Sequence, residues 1–238
     1  MQTNTMTYQV EKSVGRIEDI LSESNSSFEE LVSIPDRSRL TFTNGFYITV
    51  GAVFVDLRGS SALTGEHRRP RLAKIYRSYI SECVAILNGH GDCREVNITG
   101  DCVSGIFEAR YQYQIGDLLE AAAQLNSLIP ILNWKYAKYG IVNVTAGIGV
   151  AYGRALMVKA GYSGSAINEV VWMGDVVNEA SNLCAEAGTY GVPPVLIDED
   201  VYLNLKDEYK GFFTQRANGS YGGYVINLEM DKWLRDNS

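Results

Sequence analysis

Apolar residues change period several times along the chain, and each change marks an expected element. The run at residues 46–56 is rich in aromatic and β-branched residues and predicts a largely buried strand. From about residue 68 to 87 the spacing becomes helical, with Leu72, Ile75, Tyr76, Tyr79, Ile80 and Leu87 on one stripe and Gly89-His-Gly91 ending it. Residues 93–99 and 102–107 read as two strands joined by the turn Gly100-Asp101. A long helix is expected at about 115–139, with Pro130 inside it as a site of kinking. A fourth strand is expected at 142–152, closed by Gly153. The order β-α-β-β-α-β is the ferredoxin-like split motif, which makes an antiparallel sheet with helices on one face. The expected class is α+β: a ferredoxin-like βαββαβ core with a C-terminal extension and an antiparallel-rich sheet flanked by helices.

The extension reads as an irregular stretch at 154–165, a short strand at 169–172, a helix at 174–187 and a strand at 194–197. A glycine-rich hairpin then pairs 212–216 with 224–228. Residues 1–40 differ from the rest. A polar helical stretch at 8–21, a serine-rich segment and Pro35 read as an N-terminal helical arm outside the core, leaving 41–238 as the compact domain.

Composition narrows the choices. The 238 residues are 46% hydrophobic and 21% charged, an ordinary globular balance for one large domain. A formal charge of −7 with no basic patch argues against nucleic acid as a partner. Cys83, Cys93, Cys102 and Cys184 form no Cys-x-x-Cys pair and only His67 and His90 accompany them, which disfavours zinc. Scattered free thiols and no evident signal peptide lead to the expectation of a reduced, cytoplasmic setting. No apolar run reaches the length of a membrane span, so direct membrane insertion is not expected.

The candidate chemistry lies at two aspartates. Asp56 closes the first strand and leads into Leu57-Arg58-Gly59-Ser60-Ser61; Asp101 sits in the hairpin turn. Two carboxylates at adjacent strand ends suit two hard divalent cations, Mg²⁺ or Mn²⁺, and through them a triphosphate. Each also has a structural alternative, Asp56 as a helix cap and Asp101 as a turn former. On the 174–187 helix, Val176, Val177, Ala180, Leu183, Cys184 and Ala187 form an apolar stripe, while Asp175, Asn178 and Asn182 share the other face. That polar face can meet a ligand or simply be solvated.

Four patterns occur in order: Phe54-Val-Asp56-Leu-Arg-Gly-Ser-Ser61, Ile98-Thr-Gly-Asp101, Ala146-Gly-Ile-Gly149 and Trp172-Met-Gly174-Asp-Val-Val-Asn178-Glu-Ala-Ser181. Over roughly residues 46–228 they resemble the catalytic domain of class III nucleotidyl cyclases, whose signatures read Phe-x-Asp-Ile-x-Gly-Phe-Thr, Lys-x-x-Gly-Asp, Arg-x-Gly-Ile and Gly-x-x-Val-Asn-x-Ala-x-Arg. The resemblance implies that Asp56 and Asp101 bind metal with the backbone carbonyl of Leu57. It implies that Asn178 orients the ribose from the opposite subunit of a homodimer with shared sites. Arg216 falls where the family places a lysine for the triphosphate, and the Gly59-Ser60-Ser61 turn would offer N–H groups to phosphate.

The departures are informative. Asn97 stands at the position of a base-reading lysine or glutamate, and Val171 at that of the adenine-reading aspartate. Asn182 replaces the transition-state arginine and Thr145 another arginine, leaving Arg58, Arg94 and Arg154 as candidates to substitute. With the purine code gone, a smaller base is expected, and Tyr47 can fill the space or be an ordinary core tyrosine. Asn97 both donates and accepts, which suits uracil or cytosine. The pattern resembles the pyrimidine nucleotide cyclases of bacterial Pycsar antiphage systems, whose cyclic nucleotide activates a separate downstream effector. The expected reaction is UTP to cyclic UMP and pyrophosphate. CTP is the alternative substrate, and a purine cyclase or a non-catalytic nucleotide-binding module stands further off.

Overall fold

The computed structural model describes residues 7–60, 63, 65, 69–163 and 167–238. Its centre is β2 (Gly45–Leu57), which pairs antiparallel along its full length with β5 (Ala146–Gly161). On its other edge β2 pairs antiparallel with β4 (Cys102–Glu108), and β4 with β3 (Cys93–Thr99). The main sheet runs β3-β4-β2-β5-β7-β9-β8, with β7 (Val195–Ile197), β8 (Phe213–Gln215) and β9 (Tyr221–Gly223) extending the ferredoxin-like four.

Alternation along β2 builds two cores. Val53, Val55 and Leu57, with Ile148 and Val150 of β5, pack under Ile75, Tyr79, Cys83 and Leu87 of α2 (Arg69–Gly89) and Leu118, Ala122 and Leu125 of α3 (Gln112–Lys138). Phe46, Ile48, Val50 and Ala52 face the other way. Ile106, Ala151 and Met157 join them, as do Trp172 of β6 (Asn168–Met173) and Val176 and Ala180 of α4 (Asp175–Glu186). Helices therefore cover both faces, not one, because α4 lies on the face opposite α2 and α3. Fully burying each aliphatic side chain stabilises the fold by about 1.5–3 kcal/mol.

Three expectations need correction. The fourth strand starts later and runs further than 142–152. Val144 is tied to α3 by a two-way bond with the Asn133 amide (2.8 and 2.9 Å), and beyond Gly153 the backbone stays paired with β2 on one edge and β6 on the other. The stretch expected to be irregular is thus strand as far as Gly161. The terminal hairpin pairs Phe213–Gln215 with Tyr221–Gly223, because Gly222 and Gly223 bring the backbone against Pro193 and Phe212, where a side chain would collide. After it comes α7 (Leu228–Asn237), capped by Asn227, whose Oδ1 accepts the Met230 N–H at 2.9 Å. The short helices α5 (Glu199–Asn204) and α6 (Asp207–Lys210) were also not expected.

The N-terminal 40 residues divide in two. In α1 (Val10–Leu21) no residue is buried. By contrast β1 (Phe28–Glu30) pairs parallel with β2, and Leu31 and Ile34 pack on the second core. No helix among the described residues is long and apolar enough to cross a membrane.

The backbones of α4 and β5 meet closely at two glycines. A Cβ on Gly149 would fall inside contact distance of the Ala180 carbonyl and the Cys184 backbone nitrogen, and one on Gly147 would lie 2.7 Å from the Cys184 carbonyl. Helix backbone cannot move aside as a flexible side chain can. Gly149→Ala is expected to lower stability by about 2–3 kcal/mol, read as a reduced urea midpoint at unchanged m-value.

Candidate active site

Asp56 and Asp101 come together at one end of the sheet. Asp56 is the penultimate residue of β2, level with Gly147 of β5. Asp101 occupies the two-residue β3–β4 turn, where Gly100 adopts φ 66°, a left-handed conformation that glycine accommodates freely. Since Val55 pairs with Val103, continuing that register sets Asp56 beside Cys102, the neighbour of Asp101. Both carboxylates are half-buried. Burial first, and then the charge of Asp101, push the Asp56 pKa up; Arg58 and the Leu57 N–H pull it down without prevailing. Asp101 Oδ2 is buried and has no hydrogen-bond partner. Among the described residues, no group of three or more His, Cys, Asp or Glu side chains is placed to hold a metal ion.

Arg58 joins this corner to α4. Its Nη2 lies 3.9 Å from Asp56 Oδ2 and donates to the Cys184 carbonyl at 2.6 Å, while Nη1 donates to the Ala185 carbonyl at 3.1 Å. These carbonyls belong to the last turn of α4, where unpaired acceptors and the helix dipole favour a cation. Gly147 leaves room for the guanidinium: a Cβ there would stand 2.6 Å from Nη2. Of the three candidate arginines, Arg58 alone touches an aspartate of the pair. Arg94 is engaged by Glu108 at 3.2 Å, and Arg154 by both oxygens of Glu30 at 3.1 and 2.6 Å.

Asn178 and Asn182 are exposed on the outer face of α4, with Val176, Ala180, Leu183 and Cys184 turned to the sheet. Glu186 continues their i, i+4 row. Arg216, half-buried, donates to Glu186 Oε2 at 2.9 Å and so joins the same row at its C-terminal end. Asn178 is about 9 Å of helix rise from Cys184 and faces away from the sheet that carries the two aspartates.

Asn97, half-buried on β3, shares a face with Glu95 and is level with Ser104 of β4. That is the face of Asp56, Phe54 and α4. Leu57 has its side chain in the first core and gives its N–H to Asp56. Ser60 follows Gly59, which has φ 64°; Ser61 lies outside the described residues. Thr145 is exposed, and its carbonyl accepts the Arg58 N–H at 2.8 Å.

Two candidates lie elsewhere in the chain. Tyr47 is nine residues from Asp56, about 30 Å along the strand, and alternation points it to the opposite face. The Arg154 guanidinium sits 3.8 Å from its ring centroid. Val171 alternates with Val170 and Trp172, both of which pack on the second core, so its side chain faces away from Asn97. Glu95 and Trp172, which sequence reasoning did not single out, do meet on the Asn97 face: the indole Nε1 donates to Glu95 Oε2 at 2.9 Å.

A cavity of about 490 Å³ opens beside α4 between Tyr152, Asp175, Asp198 and Asn218, and neither aspartate of the pair lines it. In that cavity burial pushes Asp198 up to about 6 although its carboxylate accepts the Val201 and Tyr152 N–H groups.

No family model matches the chain. A uridylate cyclase from Gulbenkiania mobilis is 40% identical across the whole of both chains. A second, from Treponema porcinum, is 36% identical over 94% of this chain and 78% of that protein. Among solved structures, a class III adenylyl cyclase-like ATP-binding protein from Pseudomonas aeruginosa superposes with a TM-score of 0.73 at 17% identity, over 94% of this chain and 49% of that one. The adenylyl cyclase CyaB from P. aeruginosa gives 0.61 at 20% identity, over 73% and 86%. The structural likeness establishes the class III cyclase fold, and the sequence identity places this chain in the uridylate cyclase family.

Proposed function

We propose that the protein cyclises UTP to 3′,5′-cyclic UMP and pyrophosphate, working as a homodimer with two shared sites. The aspartate pair carries this reading. A buried carboxylate oxygen with no donor, beside a second carboxylate whose pKa is raised by burial and by its neighbour's charge, is a donor set suited to divalent cations. Asp56, Asp101 and the carbonyl of Leu57 would hold two divalent ions, Mg²⁺ or Mn²⁺. When bound, such ions acidify the 3′-hydroxyl and neutralise the phosphate charge. The 3′-hydroxyl gives its proton to solvent water, its oxygen bonds to the α-phosphorus as the bond to the bridging oxygen breaks, and pyrophosphate carries away the electron pair.

The chain's own residues position the reactants. Ser60 and the Gly59 turn supply N–H groups for phosphate oxygens. Arg58 keeps a cation beside the Asp56 carboxylate and Arg216 brings one to the row of Asn178 and Asn182. Asn178 serves the ribose of the partner's site, which fits its outward exposure. Asn97 lies on the face of Asp56, two register rows in from the strand end, where a base can be read. A cytoplasmic location and a separate effector that responds to the cyclic nucleotide in antiphage defence complete the proposal.

Three measurements test it. Incubated with each of the four nucleoside triphosphates and Mn²⁺, the chain is expected to release pyrophosphate from UTP. Turnover of CTP instead makes it a cytidylate cyclase, turnover of a purine refutes the pyrimidine assignment, and no turnover at all leaves a binding module. Asp56→Ala chains mixed with Asn178→Ala chains should recover roughly a quarter of wild-type activity, since half the dimers are mixed and each holds one intact site. Failure to recover at any ratio argues for sites built within one chain.

The third follows from linkage. Asp56 ionises less readily folded than unfolded, so its contribution to stability falls as pH rises past 3.8 through the raised folded value, and stays reduced above it. Asp101→Asn removes the neighbouring charge. It is expected to raise the Tm of the metal-free chain at pH 7, to abolish the further rise that Mn²⁺ gives the wild type, and to abolish turnover.

A further inference from the structure

We propose that Trp172, held in place by the buried carboxylate of Glu95, forms the end wall of the base pocket and sets its preference for pyrimidines over purines. The inference rests on the cyclase reading above and identifies what reads the base in that site.

Glu95 has a side chain only 3% exposed. A carboxylate so buried requires donors, and it has two: Arg37 Nε on Oε1 and the Trp172 indole on Oε2, both at 2.9 Å. Arg37 Nη1 also reaches Glu169 of β6 at 3.3 Å. The carboxylate therefore clamps β3, β6 and the N-terminal turn at Arg37 together. Asn97 lies two residues beyond Glu95 on the same face of β3, about 7 Å away.

The indole comes from a strand several places away from β3 in the sheet but on the same face. Its strand pairs with β5, yet the ring packs among the residues of the second core and is 8% exposed. A side chain with a fixed acceptor at its tip has one orientation, so the indole is a rigid ring held by a carboxylate on the same strand that carries Asn97. A purine carries a fused five-membered ring that a pyrimidine lacks, and a rigid wall excludes it where a mobile one would yield. Val171, in register with the family's purine-reading position, turns to the opposite face. On the structure's geometry the second base-reading side chain is its neighbour Trp172, and Glu95 is its positioning residue.

The test compares kcat/KM for the preferred pyrimidine triphosphate and for ATP in wild type, Trp172→Ala, Trp172→Phe, Glu95→Leu and Glu95→Gln. Trp172→Ala and Glu95→Leu should lower the pyrimidine-to-purine ratio at least about tenfold, a span that small changes in pocket shape can produce. The change should enter chiefly through KM. Glu95→Gln retains an oxygen for the indole and should hold the ratio close to wild type. A purely structural role would depress both substrates in proportion and leave the ratio unchanged, which overturns the inference. If Trp172→Ala does not fold, Trp172→Phe and Glu95→Leu decide it, because each removes the indole–carboxylate bond with modest change in volume. An unchanged ratio in both rejects the wall, while wild-type pyrimidine turnover leaves the function standing. A wild type that cyclises no triphosphate removes both together.

Discussion

The ladder between β2 and β5 runs without a bulge from Gly45↔Val158 to Leu57↔Ala146. Successive side chains on such a ladder take opposite faces, and a slip of one residue would exchange every one of them. The placement of Asp56 on the α4 face, of Val53 and Val55 under α2 and α3, and of Tyr47 away from the site all follow from this one register. So does the meeting of Gly147 and Gly149 with α4, since both lie on the Asp56 side of β5. With no Cβ on either, helix backbone rests directly on strand backbone, and the last turn of α4 arrives within reach of Arg58.

The aspartate corner shows the usual conflict between stability and chemistry. Two like charges share a half-buried strand end, with one oxygen unpartnered and one neighbouring guanidinium divided between Asp56 and two helix carbonyls. A fold selected for stability alone would satisfy these groups within the chain. The second core, packed tightly behind them, holds the arrangement in place.

Local patterns made much of this legible. Both aspartates adjoin turn-forming glycines, and the inward stripe of α4 is evident from its spacing. The β-α-β-β-α-β order and the cyclase resemblance agree with the observed sheet and with the relatives. What sequence could not supply was long-range partnership. Gly153 reads as a strand end only until β6 and β2 are seen on its two sides, and Gly222 and Gly223 read as loop until Pro193 and Phe212 are seen against them. Tyr47 lies on the strand that ends at Asp56, but strand rise and alternation put it far along that strand and on the opposite face. Glu95 and Trp172 are 77 residues apart, and although Trp172 opens the pattern that runs to Ser181, nothing local in the sequence pairs the two.

The Arg37–Glu95 bond bears on where the folded unit starts. Truncation at residue 40 would delete β1, expose the edge of β2 that it covers, and remove the guanidinium that pairs with an almost wholly enclosed carboxylate. Stranding such a charge costs about 3–5 kcal/mol, a large share of a typical domain's margin. By its packing, the segment from Phe28 belongs with the second core, whereas α1 buries none of its residues.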